Sequence, residues 1–200
     1  EQVLKGNCIL EVTDERGGKV EQLSVELHGK GTFALGGTTS TAGRNKSLRP
    51  GFYRVQARIT IAPMAEGERR PIHATTGFWV YDRKRMEGGA PLTTDGTYFR
   101  RGGKIFPVTG TSAMASDVHR KFLLDPNPDR WDEDFSAMKK AGINMVRTGI
   151  WTGWKNLMLD AGAPNEAALR SLDAFILTAR KYDIPVIFTF FAFLPEAWGG

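Results

Sequence analysis

The alternation of apolar and polar positions changes its period partway along the chain. Up to residue 82 the pattern is that of strands. "CILEV" (8–12), "VEQLSVEL" (20–27), "GTFAL" (31–35), "FYRVQARITI" (52–61) and "ATTGFWVYD" (74–82) carry strand-like apolar spacing, with turn-rich stretches between them. In "FYRVQARITI", Tyr53, Val55, Ala57, Ile59 and Ile61 share one face against Arg54, Gln56, Arg58 and Thr60. That period of two predicts a half-buried antiparallel strand. Pro50-Gly51 supplies a tight turn leading into it. Short strands without a helical period predict a small β-sandwich of immunoglobulin-like type over residues 1–82.

Residues 83–97, "RKRMEGGAPLTTDGT", combine charge, Gly-Gly and Pro and read as a linker. From 98 onward the period becomes mixed. "TYFRRGGKIFPVTGTS" predicts a hairpin across Arg101–Gly103, its second arm Ile105–Thr109 running towards a first strand. "DPNPDRWDEDFSAMKKAG" predicts a helix with Asp129 as N-cap, acids in its first turn, Lys139 and Lys140 in its last, and Gly142 just beyond. Trp131, Phe135 and Met138 form its apolar stripe.

A strand at Ile143–Ile150 follows. A second helix over 165–182 has Asn165 as N-cap and a buried face of Leu169, Leu172, Phe175, Ile176 and Ala179. "IPVIFTFFAF" (184–193) is apolar on both parities, as in a parallel strand covered on both sides. Strand, helix, strand, helix, strand predicts an α/β fold. Its helix-to-strand connections are minimal, whereas the loops after the strands (110–128, 151–164 and 194–200) are long or glycine-rich. Function in parallel α/β folds gathers at that end of the strands.

One residue breaks the apolar run of the second strand. Arg147 lies inside "GINMVRTGIW", and a guanidinium buried without a partner is costly. Towards the C-terminal end of its strand it can face the mouth of the fold, with Met145 on its own parity and Val146 and Thr148 facing the helices. Trp151, Trp154, Phe191, Phe193 and Trp198 crowd the same mouth. Aromatic faces beside polar groups suit sugar rings, which offer an apolar C–H face and a hydroxyl rim.

These residues carry a resemblance. "DRWDEDFSAMKKAGINMVRTGIW", preceded by "YFRRGGKIFPVTGTS", resembles the opening of a clan-A glycoside hydrolase, a (β/α)8 barrel of cellulase, mannanase or β-galactosidase type, nearest in flavour to glycoside hydrolase family 5. The resemblance covers about residues 98–200 and is most specific over 131–151. It implies a TIM barrel whose first three or so strands lie here, behind an accessory sandwich. The implied reaction is hydrolysis of the O-glycosyl bond of a β-linked carbohydrate, with retention, by two carboxyl groups roughly 5–5.5 Å apart.

In such enzymes the arginine at the position of Arg147 holds the nucleophilic glutamate of a late strand. About a hundred residues from Lys104 onward fall short of the roughly 250 of a complete barrel. The catalytic pair is therefore expected beyond Gly200, with none in this chain, and the piece alone is expected to be inactive. Glu196 comes one strand too early and lacks the asparagine usual before the acid/base. It is assigned with Trp151, Trp154 and Trp198 to substrate binding. The rest of the barrel, or self-association, is the expected partner of the open sheet.

Composition narrows the alternatives. The chain is 41% hydrophobic and 24% charged, an ordinary globular balance, with a formal net charge of +5 from scattered lysines and arginines. Without a basic stripe or docking motif, nucleic-acid binding is not expected. No apolar run reaches the ~20 residues of a membrane span. With a single cysteine, Cys8, and no histidines at ligand spacing, neither a disulfide framework nor a metal nor any other cofactor is expected. His119 reads as a surface residue, "GKGTFA" (29–34) as a turn, and "NKS" (45–47) as a sequon by spelling alone. The compartment expected of a polysaccharide-degrading hydrolase is secreted or periplasmic, with the cytoplasm also compatible. The rival reading is a non-catalytic carbohydrate-binding or adhesion protein with the sandwich as its recognition module; an exposed aromatic strip there would favour it, and only Phe52, Phe78, Trp79 and Tyr81 are available for one. A doubly wound nucleotide enzyme is weakened because no glycine-rich phosphate loop opens either helix.

Overall fold

A computed structural model of the chain describes residues 4–29, 48–61, 71–150 and 156–190. These fall into two units, Glu1–Val80 and Tyr81–Gly200. Sheet dominates, with few helices, and no helix among the described residues is long and apolar enough to cross a membrane.

In the first unit, β1 (Leu4–Asp14), β2 (Lys19–Gly29), β3 (Gly51–Ile61) and β4 (Ile72–Val80) form one antiparallel sheet in the order β2-β1-β3-β4. The turn between β1 and β2 is closed by Asp14, whose carboxylate accepts from the amides of Arg16 (2.9 Å) and Gly18 (2.8 Å). Gly17 supplies the positive φ that this turn needs. Pairing aligns Tyr53 with Asp14, Val55 with Val12, Ala57 with Leu10 and Ile59 with Cys8. One sheet face is thus apolar and the other carries Arg54, Gln56 and Arg58. Cys8 is fully buried on the apolar side, and burial pushes its thiol pKa up, away from thiolate chemistry.

The predicted strand 31–35 lies outside the described residues. Those that are described supply one layer of the expected sandwich. At the entry into β3 the Tyr53 hydroxyl donates back to the Arg49 carbonyl four residues upstream (2.9 Å), a corner that ties the strand to the backbone before it.

The second unit opens with residues 83–97, expected as a linker but folded here. Asp82 caps the short helix α1 (Arg83–Glu87) by accepting from the Arg85 amide. A small antiparallel sheet follows, of β5 (Leu92–Thr94), β6 (Phe99–Arg101) and β7 (Lys104–Ile105). Asp95 closes the β5–β6 turn, accepting from the amides of Thr97 (3.0 Å) and Tyr98 (2.8 Å) and from Arg100 Nε (2.5 Å). Polar residues that read as linker are here spent on caps. The expected hairpin is present between Arg101 and Lys104, its two turn residues Gly102 and Gly103 both at positive φ, as a type I′ turn demands.

The first parallel strand, β8 (Gly110–Ser112), begins later than the pattern suggested. Pro107 has no N–H to give a ladder, and the pairing is instead set by Asn144. Its side chain accepts from the Thr109 amide (2.9 Å) and donates to the Pro107 carbonyl (2.6 Å). Helix α2 (Pro128–Lys140) starts earlier than expected: Asn127, not Asp129, is its N-cap, and Pro128 takes the first helical position, where no N–H is needed. Then come β9 (Met145–Gly149), a two-stranded ribbon of β10 (Met158–Asp160) and β11 (Ala163–Pro164), α3 (Glu166–Lys181) capped by Asn165, and β12 (Val186–Thr189). Strands β8 and β12 flank β9, both parallel to it.

Phe175 of α3 centres the core, its ring 4.9 Å from Phe122, 5.4 Å from Trp131 and 5.2 Å from Phe135. The buried face of α3 runs through Ala168, Ser171, Phe175 and Ala179, so Leu169, expected inside, is exposed. Between α2 and α3 the buried Asp132 carboxylate accepts from Lys181 Nζ (2.7 Å) and the Tyr182 hydroxyl (2.9 Å), a tie that motif reading did not anticipate.

Replacing Tyr53 by Phe removes one hydrogen bond and no packing. It should cost about 1 kcal/mol, read as a lower urea midpoint at unchanged m; an unchanged midpoint would remove the corner as a stabilising device. Asp95 is predicted to titrate below the ordinary aspartate range, because the Tyr98 and Thr97 amides and then Arg100 hold it ionised. Its contribution to the turn is present above its unfolded pKa and is lost as pH falls through the depressed folded value. Carboxyl carbon shifts should show this, together with the Thr97 and Tyr98 amides moving over the same range; a midpoint at the ordinary value rejects it.

Candidate functional site

The three parallel strands place three residues in one row. Ser112 of β8 pairs with Arg147 of β9, which pairs with Ile187 of β12. Neighbours along β9 point the other way: Val146 and Thr148 are 0% exposed on the side packed by the helices, while Arg147 between them is exposed. The strand keeps its guanidinium because the two-residue period puts it on the face opposite the core. Ile187, beside it, is 43% exposed, so this face is open at the Arg147 row, whereas Met145, two residues earlier on the same parity, is buried. That differs from the reading of 184–193 as covered on both sides.

At the C-terminal end of this face the backbones draw together. A Cβ on Gly149 would lie 2.4 Å from the Thr189 carbonyl oxygen and 2.8 Å from Thr189 Cβ, so only glycine fits. The Ala113 amide donates to the Arg147 carbonyl (2.8 Å), carrying the ladder one residue past β8. The loop from 113 to 127 is then packed down. Phe122 and Leu123 are buried, and Ser116 donates from both its amide (3.0 Å) and its hydroxyl (2.8 Å) to Asp134 of α2. His119 is exposed on this loop, in a left-handed conformation, with its backbone bridged to Ala115. Beyond β12, Phe190 is 52% exposed.

Arg147 is the one assigned site residue that the structure places. Trp151, Trp154, Glu196 and Trp198, with Phe191 and Phe193, lie outside the described residues. Ser112 and Ile187 were not singled out from sequence, since only the inter-strand register makes them neighbours of Arg147. Among the described residues there is no group of three or more potential metal ligands. The aromatic strip of the rival reading is not displayed: Phe52 is 3% exposed and packs on Trp79 (centroids 5.5 Å), Phe78 stacks on the buried Tyr53, and Tyr81 belongs to the second unit.

No protein-family model matches the chain, and no curated protein matches it. Among solved structures it is similar to a Parabacteroides merdae beta-glucuronidase, with 16% identity over 91% of this chain and 19% of that one, at a TM-score of 0.29. It is also similar to a glycosyl hydrolase family 2 member from Bacteroides cellulosilyticus DSM 14838, with 12% identity over 92% and 21% at a TM-score of 0.30. A Bifidobacterium dentium beta-glucuronidase shows 15% identity over 92% and 25%, again at 0.30. The chain spans about a fifth to a quarter of these proteins. All three are glycosidases by name, and none is named as a family 5 enzyme. At such TM-scores the likeness carries no argument, and the functional reading rests on the residues.

Gly149→Ala should destabilise the second unit by about 1–3 kcal/mol, because its new methyl meets backbone that cannot step aside. Gly110→Ala, whose nearest contacts start at 3.3 Å, should cost less. Thermal unfolding of both variants checks the order; equal midpoints would show that β9 and β12 can separate freely.

Proposed function

We propose that this chain is part of a glycoside hydrolase, with an immunoglobulin-like sandwich domain over residues 1–82 and the opening strands of a (β/α)8 barrel from residue 98. The observation that carries the reading is Arg147, exposed between the fully buried Val146 and Thr148 on the face of the parallel sheet that the helices do not cover. In a barrel that face is the interior, and a cation near its C-terminal rim serves a substrate site. The βαβαβ order, with parallel strands added in sequence around β9, supports the same architecture. The exposure of Ile187 supports it too, since a barrel interior is filled by side chains of the remaining strands.

In this reading the enzyme hydrolyses a β-linked glycoside with retention. Arg147 is a positioning residue: its charge keeps a nucleophilic carboxylate ionised while the partner acid stays protonated. That carboxylate attacks the anomeric carbon, forming a glycosyl-enzyme as the aglycone leaves with the acid's proton. Water deprotonated by the same group then releases the sugar. Trp151, Trp154, Glu196 and Trp198 are proposed to line the sugar site. Oligosaccharide or polysaccharide is the proposed substrate, and the proposed location is secreted or periplasmic.

The test uses the protein from its native source, assayed on a panel of aryl β-glycosides. Arg147→Ala should lower kcat by roughly a hundredfold or more. Loss of the cation raises the nucleophile's pKa, so the acid limb of the kcat/KM profile should move to higher pH. Unfolding should be little changed, because the side chain lies outside the core. A variant that loses stability but keeps its pH profile would make Arg147 a structural rim residue. Absence of glycosidase activity in the unaltered protein would favour the carbohydrate-binding reading.

A further inference from the structure

A cavity of about 430 Å³ lies at the other end of the strands, where Ile184–Val186 lead into β12. Its remaining walls come from Glu87–Leu92, from Arg101 of β6, from Ile176 and Arg180 of α3, and from Asp183, and the Glu87 carboxylate is paired with Arg83 (2.8 Å). The volume is within the roughly 300–1,000 Å³ of small-molecule sites. Leu92, Ile176, Pro185 and Val186 make one side apolar, and two guanidinium groups stand on the other. The point that a Cβ on Gly89 would occupy is 3.2 Å from Arg180 Nη1 and 4.0 Å from Arg101 Nη2. Gly89 sits at positive φ, so the spot where the two cations converge carries no side chain.

The two arginines are not equally satisfied. Arg101 grips Asp183 with both terminal nitrogens, fork to fork, and leans on the Phe106 ring. Arg180 is half-buried, and its partner among the described residues is one neutral acceptor, the Gly88 carbonyl (2.5 Å). No carboxylate pairs with it there, because Asp183 is held by Arg101. A basic residue in the last turn of α3 answers the negative end of the helix, which accounts for the charge. It does not account for a planar five-donor group beside a cavity with one donor used.

We propose that this cavity binds a small organic carboxylate with an apolar body. The carboxylate accepts from the idle donors of Arg180, and the body lies against Leu92, Ile176 and Val186. This assignment does not depend on the glycosidase reading.

The test titrates the full chain with benzoate, benzamide and inorganic phosphate, followed by calorimetry and by the arginine Nε–H resonances. Benzoate should saturate and shift the Arg180 signal. Benzamide, neutral and of the same shape, should bind at least about tenfold more weakly, the loss expected for one charge-assisted hydrogen bond. Phosphate, without an apolar body, should bind more weakly than benzoate. Arg180→Gln should abolish the preference for benzoate over benzamide. Leu92→Trp, which fills the apolar side and leaves Arg180 in place, should weaken benzoate binding even if the first variant folds poorly. Equal binding of benzoate and benzamide, phosphate binding as tight as benzoate, or no saturation with benzoate would each overturn the proposal.

Discussion

The second unit depends on the two-residue period of β9. This strand is hydrogen-bonded on both edges, to β8 and to β12, and its side chains must alternate between the helix-packed core and the opposite face. Val146 and Thr148 go inward, and Arg147 is thereby placed outward beside Ser112 and Ile187. A one-residue slip would bury the guanidinium among Phe175, Trp131 and Phe135, at a cost no contact there could offset. The hydrophobic core therefore fixes where the charge stands.

Polar side chains bonded to backbone fix the ends of the elements. Asn144 spans from the Thr109 amide to the Pro107 carbonyl and so sets where β8 begins against β9. Asn127 and Asn165 start the two long helices, and Asp132 locks α2 to the end of α3 through Lys181 and Tyr182. Each bond satisfies a backbone or buried group that would otherwise lose its water. The same logic turns residues 83–97 from apparent linker into structure, through Asp82, Asp95 and the bond from Arg180 to Gly88.

The two ends of the parallel sheet differ in chemistry. Around the C-terminal ends the chain offers Arg147 on an uncovered face and a glycine that lets β9 and β12 approach. Around the N-terminal ends it offers a cavity with two arginines, one paired with Asp183 and one without a carboxylate among the described residues. The first arrangement follows from strand alternation. The second follows from residues 82 positions apart, Arg101 and Asp183, brought together by folding.

What the sequence determined by itself is local. Alternation in "FYRVQARITI" predicted the face that β3 buries, Gly102-Gly103 predicted the turn between β6 and β7, and Asn165 predicted the start of α3, because each signal lies within a few residues of its effect. The parity of Arg147 was readable for the same reason. Tertiary structure decided the rest. Leu169 has the right spacing for the core yet is exposed, because the sheet selects which side of α3 is covered. β8 starts at Gly110 because its ladder belongs to β9. Arg101 and Arg180 read as a turn cation and a helix-end cation, and only the packing of Gly88–Leu92 against α3 and the entry to β12 sets them around one cavity. Contacts between distant residues are fixed by global burial, and no local pattern encodes them.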